Sequence, residues 1–394
     1  GGFGKGGCGG RGSTGVPEKH GFDLFVGYYD QVHAHSYYPA YIVRNSEELV
    51  LEGNRGGQSG QTYSHYVIVD EAMEFIRTNQ DRPFFCYLPI TPPHGMYNIP
   101  DSDPGWALFK DEPWPEDAKR YAAMVSMVDR QVGEVLDLLE ELGLDEQTIV
   151  FFCGDNGGQD RFRSTEHARG FFGPNVDPKT GQAFRGSKGN LYEGGLRIPM
   201  IARWPGRIEP GRVSDLLWYF PDVLPTVAEI VGTAAPADVD GISIVPELLG
   251  ETAAGRKQPE HEFLYWELGG QTAVRMGDWK AVRPRENRPW ELYDLSQDLS
   301  EEQNVADERP EVLEKMKALA AEAHEPVREG VFDDRSIHER DRRAKWGDTR
   351  PPAAANMPVN TIPAEGLIPA AGWKIVRSSS ESQFNNRLSK YAID

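Results

Sequence analysis

Two hard oxygen donors at the end of an apolar run are the first chemically suggestive feature of this 394-residue chain. Thr148-Ile-Val-Phe-Phe-Cys-Gly-Asp-Asn-Gly-Gly158 reads as a buried strand that delivers Asp155 and Asn156 into a glycine-permitted turn. In open α/β folds the carboxyl end of a strand is where ligands bind, and a carboxylate beside an amide oxygen suits Ca²⁺, or Mg²⁺ in its place. Asp-Asn-Gly-Gly is equally the composition of an ordinary turn. His94, in Leu88-Pro-Ile-Thr-Pro-Pro-His-Gly95, also follows an apolar run, and Lys188 lies among glycines in Arg185-Gly-Ser-Lys-Gly-Asn190. Lys5, in Gly4-Lys-Gly-Gly7, has the same setting. A lysine flanked by glycines is a point charge whose neighbouring backbone can approach an anion, and a histidine can protonate a leaving oxygen. Each of the three also has a plain reading as a solvated or packing residue. His33-Ala-His35 can bind a metal in principle, but its polar, aromatic setting suits a substrate-lining loop at least as well.

The elements that must hold these residues follow from periodicity. Thr62 to Thr78 repeats apolar residues at helical spacing, and Pro83 to Ile90 is a short, almost wholly apolar strand. Glu116 to Leu142 is a second helix, with Tyr121, Val125, Val128, Val132, Val135, Leu136 and Leu139 on one face and Gly143 ending it. Thr148 to Cys153 and Arg197 to Arg203 are strands, and Pro221 to Val231 is a helix. Helices alternating with continuous apolar strands predict an α/β core, a mostly parallel sheet sandwiched by helices. After about residue 255 the strand candidates shorten and crowd together, at 262–268, 271–276, 279–283 and 290–295, followed by a helix over 310–323. That pattern predicts a small antiparallel sheet with one helix. The expected organisation is a core over 1–255, a small α+β subdomain over 256–339, a linker over 340–370 and a further unit beginning at 371–394.

Composition excludes some partners. Sixty-one acidic against 42 basic residues give a net charge of −19, which argues against a nucleic-acid footprint. The mean hydropathy is −0.55, and no apolar run approaches the ~18 residues of a spanning helix. Cys8, Cys86 and Cys153 are an odd set at unrelated spacings, neither a metal cluster nor a disulfide framework.

Taken together and in order, the motifs resemble the sulfatases of the alkaline-phosphatase superfamily, arylsulfatase type. The resemblance rests on Gly4-Lys-Gly-Gly, Pro92-Pro-His94, Gly154-Asp-Asn-Gly157, Gly186-Ser-Lys-Gly with Glu193-Gly-Gly-Leu-Arg-Ile-Pro199, Trp204-Pro-Gly206, Gly277-Asp-Trp-Lys280 and Glu291-Leu-Tyr-Asp-Leu295. It implies hydrolysis of an aryl or carbohydrate sulfate ester, with Asp155 and Asn156 as two ligands of a Ca²⁺ ion. It also implies that Lys5, His94 and Lys188 bind the sulfate and stabilise charge on the leaving oxygen; His33 and His35 remain substrate-lining candidates by their setting alone. A sulfated small molecule or glycan is the implied partner, and the implied location is extracytoplasmic, periplasmic or secreted.

The departures are as informative. A formylglycine nucleophile made from Cys/Ser-x-Pro/Ala-x-Arg belongs to the family pattern, and residues 1–394 contain no such motif; Cys8-Gly-Gly-Arg11 lacks the spacing. The expectation is that the nucleophile and an acidic pair lie upstream and that this fragment alone is inactive. The alternatives are a catalytically inactive anion- or glycan-binding fragment, or a phosphodiesterase or phosphonate hydrolase of the same superfamily. Ala371-Gly-Trp-Lys-Ile-Val-Arg377 resembles the opening of a discoidin-like carbohydrate-binding β-sandwich.

Overall fold

The computed structural model describes residues 1–326, 335–345 and 347, and the backbone of Trp373–Val376 and Lys390–Ile393. Two compact units divide it: residues 1–145 with the 335–347 segment, and residues 146–326 with the two C-terminal strands.

In the first unit β1 (Gly2–Lys5) and β2 (Phe25–Tyr28) pair in parallel, with Lys5 opposite Tyr28. β3 (Tyr41–Arg44) and β4 (Glu47–Val50) continue the sheet antiparallel. On the other edge of β1, the Phe3 amide donates to Tyr87 O at 2.8 Å and the Lys5 amide to Pro89 O at 2.7 Å. The parallel part of the expected sheet is thus β1, β2 and this flanking segment. Close approach explains one glycine. Gly27 has φ +151°, and a Cβ there would lie 1.8 Å from the Gly4 carbonyl oxygen, so only glycine lets the two strands meet. Gly27→Ala is expected to destabilise the protein by about 3 kcal/mol or more, read as a large drop in Tm.

Helix α1 (Ser64–Thr78) covers β1 and β2, placing Ile68, Ala72 and Phe75 in a core with Phe3, Val26, Tyr28 and Ile42. Phe84, Cys86 and Leu88 pack against the same core, whereas Phe85 and Tyr87 are more than half exposed. The 83–90 run therefore alternates between a covered and an open face, where its composition predicted burial on both. Helix α2 (Pro104–Phe109) packs on the 26-residue α3 (Glu116–Glu141). The valine stripe expected to be the buried face of α3 is only partly covered, and Val125 is exposed. Instead Ala123, Met124 and Met127 pack with Trp106, Tyr37, Tyr63 and Ile99. A helix that is apolar on two sides does not reveal which side meets the nearest neighbour.

In the second unit β5 (Val150–Cys153) pairs antiparallel with β6 (Met200–Arg203), and the one-turn helix α4 (Glu193–Leu196) precedes β6. Helices α5 (Val223–Ile230), α6 (Val245–Leu249) and α7 (Glu251–Ala254) follow. The strands β7 (Leu264–Leu268), β8 (Gln271–Met276), β9 (Trp279–Arg283) and β10 (Glu291–Asp294) then form the expected antiparallel meander. One face carries α8 (Pro310–Ala323), through Leu313, Met316 and Leu319 against Val274, Ala281 and Leu292. The other face packs Ala273, Val282 and Tyr293 on Leu191 and Tyr192. The sheet is therefore a middle layer joined to the 185–196 segment.

The segment expected to start a linker at 340 is instead helical: α9 (Glu339–Ala344) buries Asp341 and Ala344. Asp341 accepts a hydrogen bond from Tyr41 Oη at 2.7 Å and pairs with Arg11 at 3.2 Å, and Arg342 pairs with Asp30 at 3.0 Å. The rest of the expected linker lies outside the described residues. In the tail, β11 (Trp373–Val376) and β12 (Lys390–Ile393) pair antiparallel. No helix among the described residues is long and apolar enough to cross a membrane.

Candidate functional site

The sequence-derived candidates fall on both units. Lys5, His33, His35 and His94 belong to the first, and Asp155, Asn156 and Lys188 to the second.

Lys5 ends β1, where Gly4 at φ +140° brings the strand so close to Pro89 that a Cβ would meet the Pro89 oxygen at 2.2 Å. His94 follows the same 85–90 segment. Its ring is held by a 2.8 Å contact of Nδ1 with Gly95 O, and its carbonyl accepts from Tyr37 Oη at 2.8 Å. His35 stacks on it face to face, with ring centroids 4.5 Å apart and planes within 7°. His35 and His94 are therefore brought together. His33 is not with them: it is 0% exposed, and its ring packs edge-on against Tyr28 and Tyr41. The 3-10 turn His33–His35 sends the first histidine into the sheet, and the Asp30 carboxylate fixes that turn by accepting from the Val32 and His33 amides. His33 is thus a core residue, where a lining position was expected. Burial lowers its pKa, with the Asp341 and Asp30 charges opposing that shift.

In the second unit three short backbone segments interlock around Lys188. The Gly157 amide donates to Gly195 O at 3.0 Å, the Lys188 amide to Gly158 O at 2.8 Å, and the Gly194 amide to Arg185 O at 2.8 Å. A Cβ on Gly157 would meet Gly194 O at 2.0 Å, and one on Gly194 would meet Gly186 O at 2.3 Å. The glycines of Asp-Asn-Gly-Gly, Gly-Ser-Lys-Gly and Glu-Gly-Gly are therefore required by each other. Lys188 is partly buried; burial lowers its pKa, Asp155 opposes the shift and Arg161 adds to it. Asp155 is exposed, and Asn156 donates its Nδ2 to Gly157 O at 2.9 Å.

Two oxygen donors of this type fit a hard cation in kind, but Ca²⁺ takes about six to eight. Among the described residues no three His, Cys, Asp or Glu side chains group to hold a metal. Cys8 is exposed, and burial pushes the Cys86 thiol up to about 12.

Sequence reasoning missed the groups that anchor this glycine framework. Glu193 is buried with Oε1 2.8 Å from Lys280 Nζ, its Oε2 pairs with Arg197 at 2.7 Å, and its amide donates to Glu301 Oε2 at 2.7 Å. Lys280 Nζ is also 2.8 Å from Glu301 Oε1. Burial works against ionisation of Glu193, but Lys280, Arg197 and Arg275 together hold it at about 2; burial raises the pKa of Glu301. One signal was available: β9 alternates, so Lys280 shares the inward face with Val282, where an uncompensated ammonium is not tolerated.

The chain has the alkaline-phosphatase-like α/β fold of the solved structures it matches. The chain matches the crystal structure of Ps i-CgsB in complex with k-i-k-neocarrahexaose at a TM-score of 0.61, with 23% identity over 78% of this chain and 67% of that one. A structure solved with its substrate D-glucosamine-2-N,6-O-disulfate matches at 0.58, with 18% identity over 82% and 79%. The chain belongs to the sulfatase family: the sulfatase model matches residues 1–233, and the model described as N-sulphoglucosamine sulphohydrolase, C-terminal, matches 186–327. Among its relatives, N-acetylgalactosamine-6-sulfatase of the dog (Canis lupus familiaris) is 31% identical over 308 residues, covering 74% of this chain and 53% of the relative. Steryl-sulfatase of Mus musculus is 36% identical over 220 residues, covering 55% and 32%. The chain thus spans about half, or less, of the length of these relatives.

Proposed function

We propose that the protein of which these residues are part hydrolyses sulfate esters of a carbohydrate or a phenol outside the cytoplasm. The observation that carries this reading is the sulfatase-family match over 1–233, which encloses an interlocked glycine framework presenting a partly buried lysine beside an exposed Asp-Asn turn.

The chemistry asks for little beyond charge. Breaking the bridging S–O bond moves negative charge onto the leaving oxygen, and prepositioned cations in a partly dry site are the largest lever on that barrier. Lys188 and Lys5 would neutralise the sulfate oxygens. His94, its ring fixed by Gly95 and His35, would donate a proton to the leaving alcohol. Asp155 and Asn156 would hold part of a Ca²⁺ ion, whose contribution is to polarise the sulfate as a Lewis acid. The nucleophile, a formylglycine in the family pattern, would come from a segment preceding residue 1.

The test is release of inorganic sulfate from an aryl sulfate by the whole protein, with Ca²⁺ and with a chelator. Turnover abolished by the chelator and restored by Ca²⁺ is expected; no sulfate release under either condition sinks the reading. Asp155→Ala is expected to weaken Ca²⁺ binding at least tenfold in calorimetric titration and to lower activity in parallel. Unchanged Ca²⁺ affinity would remove Asp155 from the metal site.

A further inference from the structure

The loop that carries Lys188 is gripped at both ends by the antiparallel sheet. Before the lysine, Arg185 Nη1 donates to Tyr293 Oη at 2.6 Å and to Glu301 O at 2.9 Å. After it, Gln271 at the start of β8 donates Nε2 to Gly189 O at 2.8 Å and accepts from the Leu191 amide at 3.3 Å. Tyr192 Oη then bonds Glu291 Oε2 at 2.7 Å, and Glu193 meets Lys280 and Glu301. Between these grips the Ser187–Asn190 turn, the Lys188 amide bond to Gly158 O and Arg169, whose Nη2 donates to Gly186 O at 3.0 Å, hold the lysine's own backbone.

A hydrophobic contact alone would have sufficed to attach the sheet, as Leu191 on Ala273 and Val282 already does. Burying Lys280 completely between two carboxylates is costly, and such ionic contacts act in geometry more than in net stability. We infer that Lys280 and Gln271 are positioning residues for Lys188: the sheet fixes the 185–193 loop through them, and so sets where the Lys188 ammonium stands. Lys280 acts through Glu193 and α4, whose Gly194 amide is bonded to Arg185 O. Gln271 acts directly on the loop backbone. The inference rests on the proposed role of Lys188 in sulfate-ester turnover.

The test is a double-mutant cycle in the whole protein, using sulfate release from an aryl sulfate. Lys280→Met and Lys188→Ala are made singly and together, and Gln271→Ala is paired with Lys188→Ala in the same way. Lys280→Met is expected to lower kcat/KM at least tenfold and Gln271→Ala about threefold or more. Each double variant should retain at least fivefold (Lys280) or twofold (Gln271) more activity than the product of the single losses, because a displaced loop and a missing lysine damage the same interaction. The division of the loss between kcat and KM should follow that of Lys188→Ala, whereas a smaller folded fraction lowers kcat alone. Amides 186–190 should exchange hydrogen faster in Gln271→Ala while those of β9 keep their protection. Losses that simply multiply, or unchanged exchange over 186–190, overturn the inference. If Lys280→Met does not fold, the Gln271 cycle and its exchange data decide. Lys188→Ala with normal turnover would instead contradict the functional reading, and the exchange measurement alone would then decide whether the sheet holds the loop.

Discussion

Lys188→Ala is expected to lower kcat/KM for a sulfate ester by on the order of 10²- to 10³-fold in the whole protein, with no loss of Tm. The first half follows from the role of a prepositioned donor to a developing anion, worth about 2 to 4 kcal/mol when removed. The second half follows from burial. The Lys188 environment disfavours its charged form, so its ammonium is held at a cost that the surrounding fold carries. Replacing it by alanine removes that cost along with the charge, and the melting temperature stays level or rises. Catalytic groups held against their own solvation commonly behave this way, whereas a structural lysine shows the opposite pairing, normal rates with a lower Tm. Steady-state kinetics and a thermal melt on one preparation separate the two.

Glu193→Gln is expected to lower stability on the same scale as Gly27→Ala, and in a pH-dependent way. It leaves Lys280 with Glu301 alone and strips Arg197 and Arg275 of their common partner, at about 3 kcal/mol. The pH dependence follows from the sign of the shift. Glu193 is held at about 2 in the folded protein against an ordinary value of 4.5, so its ionised form is favoured by folding. Its contribution, about 3 kcal/mol, is fully present above pH 4.5 and is lost as the pH falls from 4.5 towards 2. Glu301 shifts the other way, because burial raises its pKa, and it takes up its proton first. Lys280 then keeps Glu193 as partner after Glu301 is neutral. Denaturant unfolding of the wild type between pH 5 and 2 should show a steep loss of stability, and Glu193→Gln should flatten it. Equal slopes for the two proteins would mean that Glu193 is not held ionised.

The legible parts of the molecule were those with local causes. Helix α1 and the strands β7 to β10 form within two residues of where periodicity places them, because spacing and turn residues alone specify them. The glycine clusters were legible as close approaches, but not which backbone each approaches: Gly157 on Gly194 and Gly194 on Gly186 are pairings across 37 and 8 residues of sequence. His33 and His35 look alike in sequence, and only the turn between them decides that one enters the core while the other stacks on His94. Phe85, Tyr87, Phe152 and Ile201 read as buried and are exposed among the described residues, since apolar composition reports what a strand can bury and not what covers it. Lys280 carried a motif position without a role, because its partners Glu193 and Glu301 lie 87 and 21 residues away.

The most direct measurement of the central claim compares leaving-group-matched substrates. The whole protein, supplied with Ca²⁺, is assayed on 4-nitrophenyl sulfate, 4-nitrophenyl phosphate and bis(4-nitrophenyl) phosphate under identical conditions. A set of cations that balances a singly charged sulfate predicts a higher kcat/KM on the sulfate than on the doubly charged phosphate monoester, by at least about tenfold and diminished in Lys188→Ala, and the sulfatase reading predicts the same order against the singly charged diester. A higher kcat/KM on either phosphate ester, in a protein that is otherwise active, would contradict the assignment and favour a phosphoester hydrolase built on the same fold.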